Sequence, residues 1–184
     1  TALIVGALLF ALSVFHYYTA GFGLLREATH RGIHLAFVVG LIFLVFAARV
    51  GDGKQVRPAN ALHPGGIPLI GWLLAAGAAA SALYVPWIFT DLQFRVGNPN
   101  TLDLTMGSIA VVVLIEATRR CMGWGLPLIA LFAMAYAYFG PWFPGIFLHP
   151  GASWSNIVNH LYLTSQGIYG VALGVVATYV FHFV

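Results

Sequence analysis

The chain has 184 residues, of which 60% are hydrophobic and 7% are charged, and its net charge is +3. Soluble domains contain about 25% charged residues, so eight Lys and Arg with five Asp and Glu cannot cover a water-soluble domain of this length. The composition therefore excludes a soluble domain and predicts an integral membrane protein surrounded mostly by lipid.

The positive charge does not indicate nucleic-acid binding, because the basic residues are scattered among short joints and form no continuous face. A single cysteine, Cys121, excludes an internal disulfide. The chain begins with Thr1 and stops inside the apolar run ATYVFHFV. Since membrane chains rarely stop within a span, we expect it to be part of a longer protein, with a natural truncation as the alternative.

Six apolar segments follow one another along the chain. They comprise residues 2–18, 33–48, 67–89, 102–117, 124–143 and a last one that starts near Ile168. About 20 apolar residues cross the hydrocarbon core as a helix, and backbone groups in lipid must find their partners within the protein. The runs VVVLI and LLAAGAAA are apolar on both faces, unlike barrel strands. The sequence predicts an all-α polytopic membrane protein with about six membrane segments.

Two of the joints have the pattern of short amphipathic helices. The first is GLLREATHRGIH, residues 23–34, where Arg26 and Arg31 are predicted to hold a helix at the membrane interface. The second lies in residues 153–170, with Ser153 as its N-cap, and leads into an apolar segment interrupted by glycine. Interrupted helices accompany substrate paths in secondary transporters.

The fourth segment has polar residues at both ends. Thr101 is predicted to be its N-cap, and Asp103 to interact favourably with the helix N-terminus. At the other end Glu116 lies three and four residues before Arg119 and Arg120, at spacings that allow ion pairs on one helix face. We expect these arginines to reach the headgroups.

Basic residues and tryptophans indicate how the helices sit in the membrane. With a cytoplasmic N-terminus, the cytoplasmic joints contain Arg49, Lys54, Arg57, Arg119 and Arg120, and the others contain Arg26, Arg31 and Arg95. This excess favours a cytoplasmic N-terminus. The tryptophans predicted to set helix depth at the interfaces are Trp72, Trp87, Trp124 and Trp142.

Motifs for catalysis are missing from the sequence, which contains no G-x-x-x-x-G-K-[ST], H-E-x-x-H or G-x-S-x-G. We therefore predict no enzymatic activity, no cofactor and no metal site. Histidines that lie in or beside apolar segments are His16, His34, His160 and His182. No two of them share one predicted span at a spacing suited to two ligands of one group, so structural hydrogen bonding is favoured over haem or chlorophyll ligation.

Two stretches are similar to a known transporter family. LIEATRRCMGWGLPLIALF, residues 114–132, and HLYLTSQGIYGVALGV, residues 160–175, resemble the N-terminal part of the fused membrane component of tripartite ATP-independent periplasmic (TRAP) transporters of the TAXI type. RGIHLAFVVGLIFLVFAAR, residues 31–49, is similar to the second helix of that group. The resemblance covers nearly the whole chain.

This resemblance implies a small four-helix (Q-type) unit over residues 1–118 and the beginning of a large (M-type) unit over residues 119–184, with Glu116–Gly123 as a cytoplasmic hinge. It implies ion-coupled uptake of an organic acid across the bacterial inner membrane, with a periplasmic substrate-binding protein as partner. The family's ion and substrate sites lie on parts of the large unit beyond residue 184, so none is transferred here, and this chain is not expected to transport alone.

An alternative of a different class is a truncated TRAP-like polypeptide that serves as a structural or accessory subunit of a larger membrane assembly, such as a respiratory or photosynthetic complex. Both interpretations give the chain lipid and other membrane subunits as partners and no nucleic acid. Proteins that co-purify with the chain distinguish the two.

Overall fold

A computed structural model describes residues 2–23, 25–46, 64–94 and 97–180, and the regular structure in these ranges is helical, which confirms the all-α prediction. The helices are α1 (Ala2–Phe22), α2 (Glu27–Val45), α3 (Leu69–Leu92), α4 (Thr101–Met122), α5 (Gly125–Tyr138), α6 (Trp154–Val158) and α7 (Val171–Val175). Wider π-helical turns continue α6 over Asn159–Leu163 and α7 over Val176–Val180. Short 3-10 turns occupy Pro64–Gly66, Gly140–Trp142 and Gly145–Phe147.

Helices α1 to α4 have 21, 19, 24 and 22 residues and are apolar enough to cross a membrane. Large apolar side chains on their outer faces are exposed, such as Phe10 at 72% and Trp87 at 89%. In water such a surface is unfavourable, whereas in lipid it costs nothing. The chain is a multi-pass membrane protein.

The fifth and sixth predicted segments form shorter helices than the sequence suggested. Helix α5 has 14 residues, or roughly 21 Å of length against a hydrocarbon core of about 30 Å. It ends before Gly140 and Pro141, which lie within the segment predicted over residues 124–143. The last segment begins at Val171 rather than near Ile168. Some residues named in the sequence analysis lie outside the described residues. They are the basic residues Arg49, Lys54, Arg57 and Arg95 and the histidine His182.

The predicted interfacial helix over residues 23–34 is wrong as a separate element. Helix α1 ends at Phe22, Gly23 turns the chain with a φ of 104°, and α2 runs without interruption from Glu27 to Val45. The polar side chains that suggested an interfacial helix contact protein instead. His30 and Arg31 hydrogen-bond to backbone carbonyls more than 130 residues away in sequence.

Close packing of α2 against α3 forms the centre of the bundle. Lipid tails are as apolar as the side chains, so association depends on close approach of small residues. A Cβ added at Gly32 of α2 would lie 2.5 Å from Cγ of Pro86 and 2.7 Å from the Ala82 carbonyl oxygen of α3. Glycine is therefore required where α2 crosses the proline of α3. One hydrophobic cluster along this contact joins Val39, Phe43, Ala78, Val113 and Ala117.

A second hydrophobic cluster brings the C-terminal part of the described chain onto α3 and α4. It contains Val85, Ala110, Val158, Tyr162 and Tyr169. Helix α4 presents Gly107 to Val158 and Tyr162, and a Cβ at residue 107 would collide with both side chains. The segment after α6 is thus part of the bundle core and not a surface loop.

The N-cap of α4 lies one residue earlier than predicted. The N-cap is Asn100, not Thr101, and its side-chain oxygen accepts the Asp103 N–H at 2.7 Å, while the Asp103 carboxylate accepts the Asn100 N–H at 2.9 Å. These reciprocal bonds form a capping box. The helix ends at Gly123, whose φ of 79° is in the left-handed region that glycine adopts readily. Ser153 caps α6 as predicted.

Replacing Gly32 by Ala should test the α2–α3 contact. We expect a loss of about 1–3 kcal/mol in the free energy of unfolding, because the Pro86 ring and a backbone carbonyl cannot move aside cheaply. The control is Gly40→Ala in the same helix, where no atom lies within 4 Å of the added Cβ and stability should not fall. Denaturation in detergent micelles measures both, and equal effects would contradict this packing.

Candidate functional site

The charged residues at the end of α4 form one compact group, here called the α4 charge cluster: Glu116, Arg119 and Arg120. Arg119 donates to Glu116 through Nε at 2.7 Å and through a terminal nitrogen at 2.8 Å. Arg120 donates to the same carboxylate through Nε at 2.8 Å. The ion pairs predicted from the spacing are therefore present, and one carboxylate serves both arginines.

Arg120 extends this cluster to α2. Its side chain is only 2% exposed, a terminal nitrogen donates to the Phe46 carbonyl oxygen at 3.3 Å, and the guanidinium lies 4.9 Å from the centre of the Phe43 ring. The carbonyls of the last helical turn have no partner within their own helix, so Arg120 caps the end of α2. Arg120 is buried between two helices, and the level of the cluster relative to the headgroups stays a prediction.

Arg119 faces the beginning of α5. Its guanidinium lies 5.4 Å from the centre of the Trp124 ring, within the range of a cation–π contact. The cluster thus contacts the end of α2, the end of α4 and the start of α5. Residue 118 lies inside α4, which continues to Met122, so a division into two domains at this point stays a prediction.

The beginning of α2 holds the last helical segment, and we name Glu27, His30 and Arg31 the α2 socket. Arg31 pairs with Glu27 at 2.5 Å and donates to the Tyr169 carbonyl oxygen at 2.5 Å. Nε2 of His30 lies 2.9 Å from the Ala177 carbonyl oxygen. Two successive side chains of α2 therefore bind the backbone on both sides of the start of α7. Arg26 lies immediately before α2, with no side-chain capping bond there.

Between the π-helical turn Asn159–Leu163 and α7, residues 164–170 are not helical. The Ile168 N–H donates back to the Leu161 carbonyl oxygen at 2.7 Å, and Tyr169 is buried. Irregular backbone at membrane depth is tolerated only where protein surrounds it or it lines a cavity. The interruption predicted from the glycines is present, and we call residues 164–170 the interrupted segment.

Two tyrosine hydroxyls fix the interrupted segment and the turn before it to α3 near its proline. Pro86 has no N–H, so the carbonyl of Ala82, four residues earlier, lacks its usual helical donor. The Tyr169 hydroxyl donates to this oxygen at 2.7 Å. The Tyr162 hydroxyl donates to the adjacent Ser81 carbonyl oxygen at 2.6 Å. The carbonyl in α3 that lacks its helical donor is therefore satisfied by the interrupted segment after α6.

Asp103 has a larger role than the predicted interaction with the helix N-terminus. It is completely buried, and besides its capping bond it accepts the Tyr84 hydroxyl at 2.7 Å. This bond joins α3 to the start of α4, at the opposite end of α4 from the charge cluster. Nothing in the sequence spacing pairs Tyr84 with Asp103.

The predicted interfacial tryptophans lie near helix ends. Trp72 is in the first turn of α3 and donates to the Pro64 carbonyl oxygen at 3.1 Å, Trp87 lies in the last two turns of α3, Trp124 immediately precedes α5, and Trp142 follows it. Their depth in a bilayer stays a prediction.

The structure brings together three histidines that the sequence did not group. His16 of α1 and His34 of α2 lie 2.9 Å apart, from Nε2 to Nδ1, and the ring of His30 lies 5.6 Å from that of His16. His30 and His34 are four residues apart on one face of α2. Both lie within residues 23–34, so this spacing could be read from the sequence, whereas their approach to His16 of α1 could not. Within the described ranges, no group of three or more His, Cys, Asp or Glu side chains is arranged to hold a metal ion.

Replacing Arg120 and Arg119 separately by Ala should measure the link between α4 and α2. Either variant leaves Glu116 with one arginine, but only Arg120→Ala removes the donor from the Phe46 carbonyl. We expect Arg120→Ala to lower the free energy of unfolding by about 1–3 kcal/mol and Arg119→Ala by less than about 1 kcal/mol. Unfolding in detergent measures the difference, and a larger loss for Arg119→Ala would contradict the assignment.

The bond between Tyr169 and Ala82 can be isolated by a double-mutant cycle. Tyr169→Phe should cost about 0.5–1.5 kcal/mol in the wild-type chain. In the Pro86→Ala background it should cost less, because the restored N–H at residue 86 donates to the Ala82 carbonyl. Tyr17→Phe is the control, since Tyr17 is 82% exposed. Equal costs in both backgrounds would show that the hydroxyl does not replace the missing helical donor.

Searches for similar proteins do not extend these observations: no protein-family model, no curated protein and no solved structure matches the chain.

Proposed function

We propose that this chain is the membrane scaffold portion of a TRAP transporter of the TAXI type. In this proposal residues 1–118 are the small Q-type unit and residues 119–184 begin the large M-type unit. The complete transporter takes up an organic acid across the bacterial inner membrane, driven by an ion gradient, and receives the acid from a periplasmic binding protein. The chain supplies the support for transport and does not transport by itself.

One observation carries the proposal: α2 and α3 both form hydrogen bonds with the interrupted segment. Arg31 of α2 binds the Tyr169 carbonyl, and the Ala82 carbonyl of α3 receives the Tyr169 hydroxyl. A scaffold must hold the first elements of a transport unit firmly while later elements move. Interrupted helices are also a feature of secondary transporters near their binding sites.

The two clusters lie at opposite ends of the bundle. Arg120 contacts Phe46, so the ends of α2 and α4 lie on the same side of the bundle. The α2 socket lies at the other end of α2. With a cytoplasmic N-terminus, the α4 charge cluster faces the cytoplasm, and the interrupted segment lies in the periplasmic half, toward a binding protein that delivers substrate.

Transport measurements on the complete permease test the proposal. The permease that contains this chain is reconstituted in proteoliposomes, its periplasmic binding protein and a radiolabelled organic acid are added outside, and a sodium or proton gradient is imposed. We expect uptake that needs the binding protein. Arg31→Met should lower uptake several-fold at equal protein content, because the interrupted segment loses its link to α2. His160→Gln, at an exposed histidine, should leave uptake unchanged.

Co-purification distinguishes the accessory-subunit alternative. A periplasmic binding protein recovered with the tagged permease supports the proposal. Recovery of a multi-subunit respiratory or photosynthetic complex, together with no gradient-driven uptake of any organic acid, would overturn it.

A further inference from the structure

Three buried histidines meet where α1 packs on α2. His16, His30 and His34 are between 2% and 4% exposed, although the surrounding helix faces are apolar. Ring nitrogens of His16 and His34 lie 2.9 Å apart. A polar side chain is expensive inside a membrane and marks a functional site unless its role is structural. We call His16 and His34 the histidine pair.

The hydrogen bond fixes how many protons the pair can hold. An N···N contact of this length needs one nitrogen with a hydrogen and one with a lone pair. When both rings are neutral, the donor ring has a lone pair on its other nitrogen. A proton added there makes that ring cationic and turns the existing bond into a charge-assisted bond, which is stronger. A second proton would set two N–H groups against each other and break the contact.

Phe15 contacts two of the three rings. Its ring lies 5.1 Å from the ring of His16 and 5.1 Å from that of His30. His30 itself must donate through Nε2, because its partner is a carbonyl, which only accepts. The neutral tautomer of His30 is thereby fixed, with an acceptor at Nδ1.

A cavity lies beside His30. Its volume is about 270 Å³, and Glu27, His30, Arg31, Thr178 and Tyr179 are among its lining residues. A cavity of this size holds several water molecules. The Glu27 side chain is 66% exposed, and the ring of His30 lies 5.6 Å from that of His16.

We propose that His16 and His34 form a buried binding site for one excess proton, which enters through the cavity at Glu27 and His30. The charged and titratable groups that line this cavity are Glu27, His30 and Arg31 from α2 and Tyr179 from the last helical segment. Helix α3 turns its Tyr84 toward Asp103 instead. This proposal does not depend on the transporter assignment.

Proton binding at the histidine pair changes how firmly α1 is held against α2. Only Leu12, His16 and Thr19 of α1 are buried, so the histidine pair is a large part of what joins α1 to α2. One bound proton strengthens the bond and holds α1 more firmly, whereas loss of the pair frees α1 to move in the lipid.

Nitrogen NMR of the chain labelled with ¹⁵N-histidine in lipid nanodiscs tests the site, with pH lowered from about 8 to about 4, the range around the ordinary imidazole pKa. We expect the His16 and His34 resonances to shift together in one step that accounts for one proton. The scalar coupling across their hydrogen bond should persist through this step. His160→Gln, which removes an exposed imidazole, should leave the shared step unchanged.

The double variant His16→Gln, His34→Gln is decisive, because neither glutamine can take up a proton, whereas either single variant leaves one imidazole that can. Proton uptake measured with a pH indicator should fall by about one proton per chain relative to the wild type, while circular dichroism and gel filtration confirm an intact fold. The proposal is overturned if both rings stay neutral over the whole range, if they titrate independently with one proton each, or if the double variant leaves proton uptake unchanged.

Discussion

A polar group that enters the hydrocarbon layer must find its partner inside the protein, and this constraint organises the whole bundle. The chain has few polar side chains, and several of the buried ones bind groups on other helices. Arg120 binds the end of α2, and Arg31 binds the backbone beside α7. Because the apolar faces contribute little to helix pairing in lipid, these bonds and the small residues at close contacts determine which helices are neighbours.

A missing hydrogen bond within α3 and the interruption after α6 compensate one another in this arrangement. Pro86 leaves a carbonyl of α3 without its donor, and the chain after α6 needs protein around its irregular backbone. Tyr169 supplies both partners. Its hydroxyl donates to the free carbonyl of α3, and its own carbonyl in the irregular backbone accepts from Arg31. The interruption is therefore tied to the core, and a movement of α3 at its proline would carry the interrupted segment with it.

Local features of the structure could be predicted from the sequence, whereas its long-range pairs could not. The membrane helices follow from apolar length, and the pairing of Glu116 with Arg120 follows from four-residue spacing within one helix. The beginning of α2 was missed because its polar residues look like an interfacial helix until their partners are known. Those partners, such as Ala177 for His30, lie far away in sequence, and no periodicity connects them.

Helix α2 makes side-chain and backbone contacts with other helices at both ends of the bundle. Its first turns hold the histidine pair and the interrupted segment, and its last carbonyl, at Phe46, holds Arg120 of α4. From Arg31 to Phe46 the helix rises roughly 22 Å at about 1.5 Å per residue, most of the hydrocarbon thickness. Helix α2 is continuous over this distance and packs closely on α3 at Gly32. The contact with His16 and the contact with Arg120 therefore lie toward opposite ends of one continuous helix.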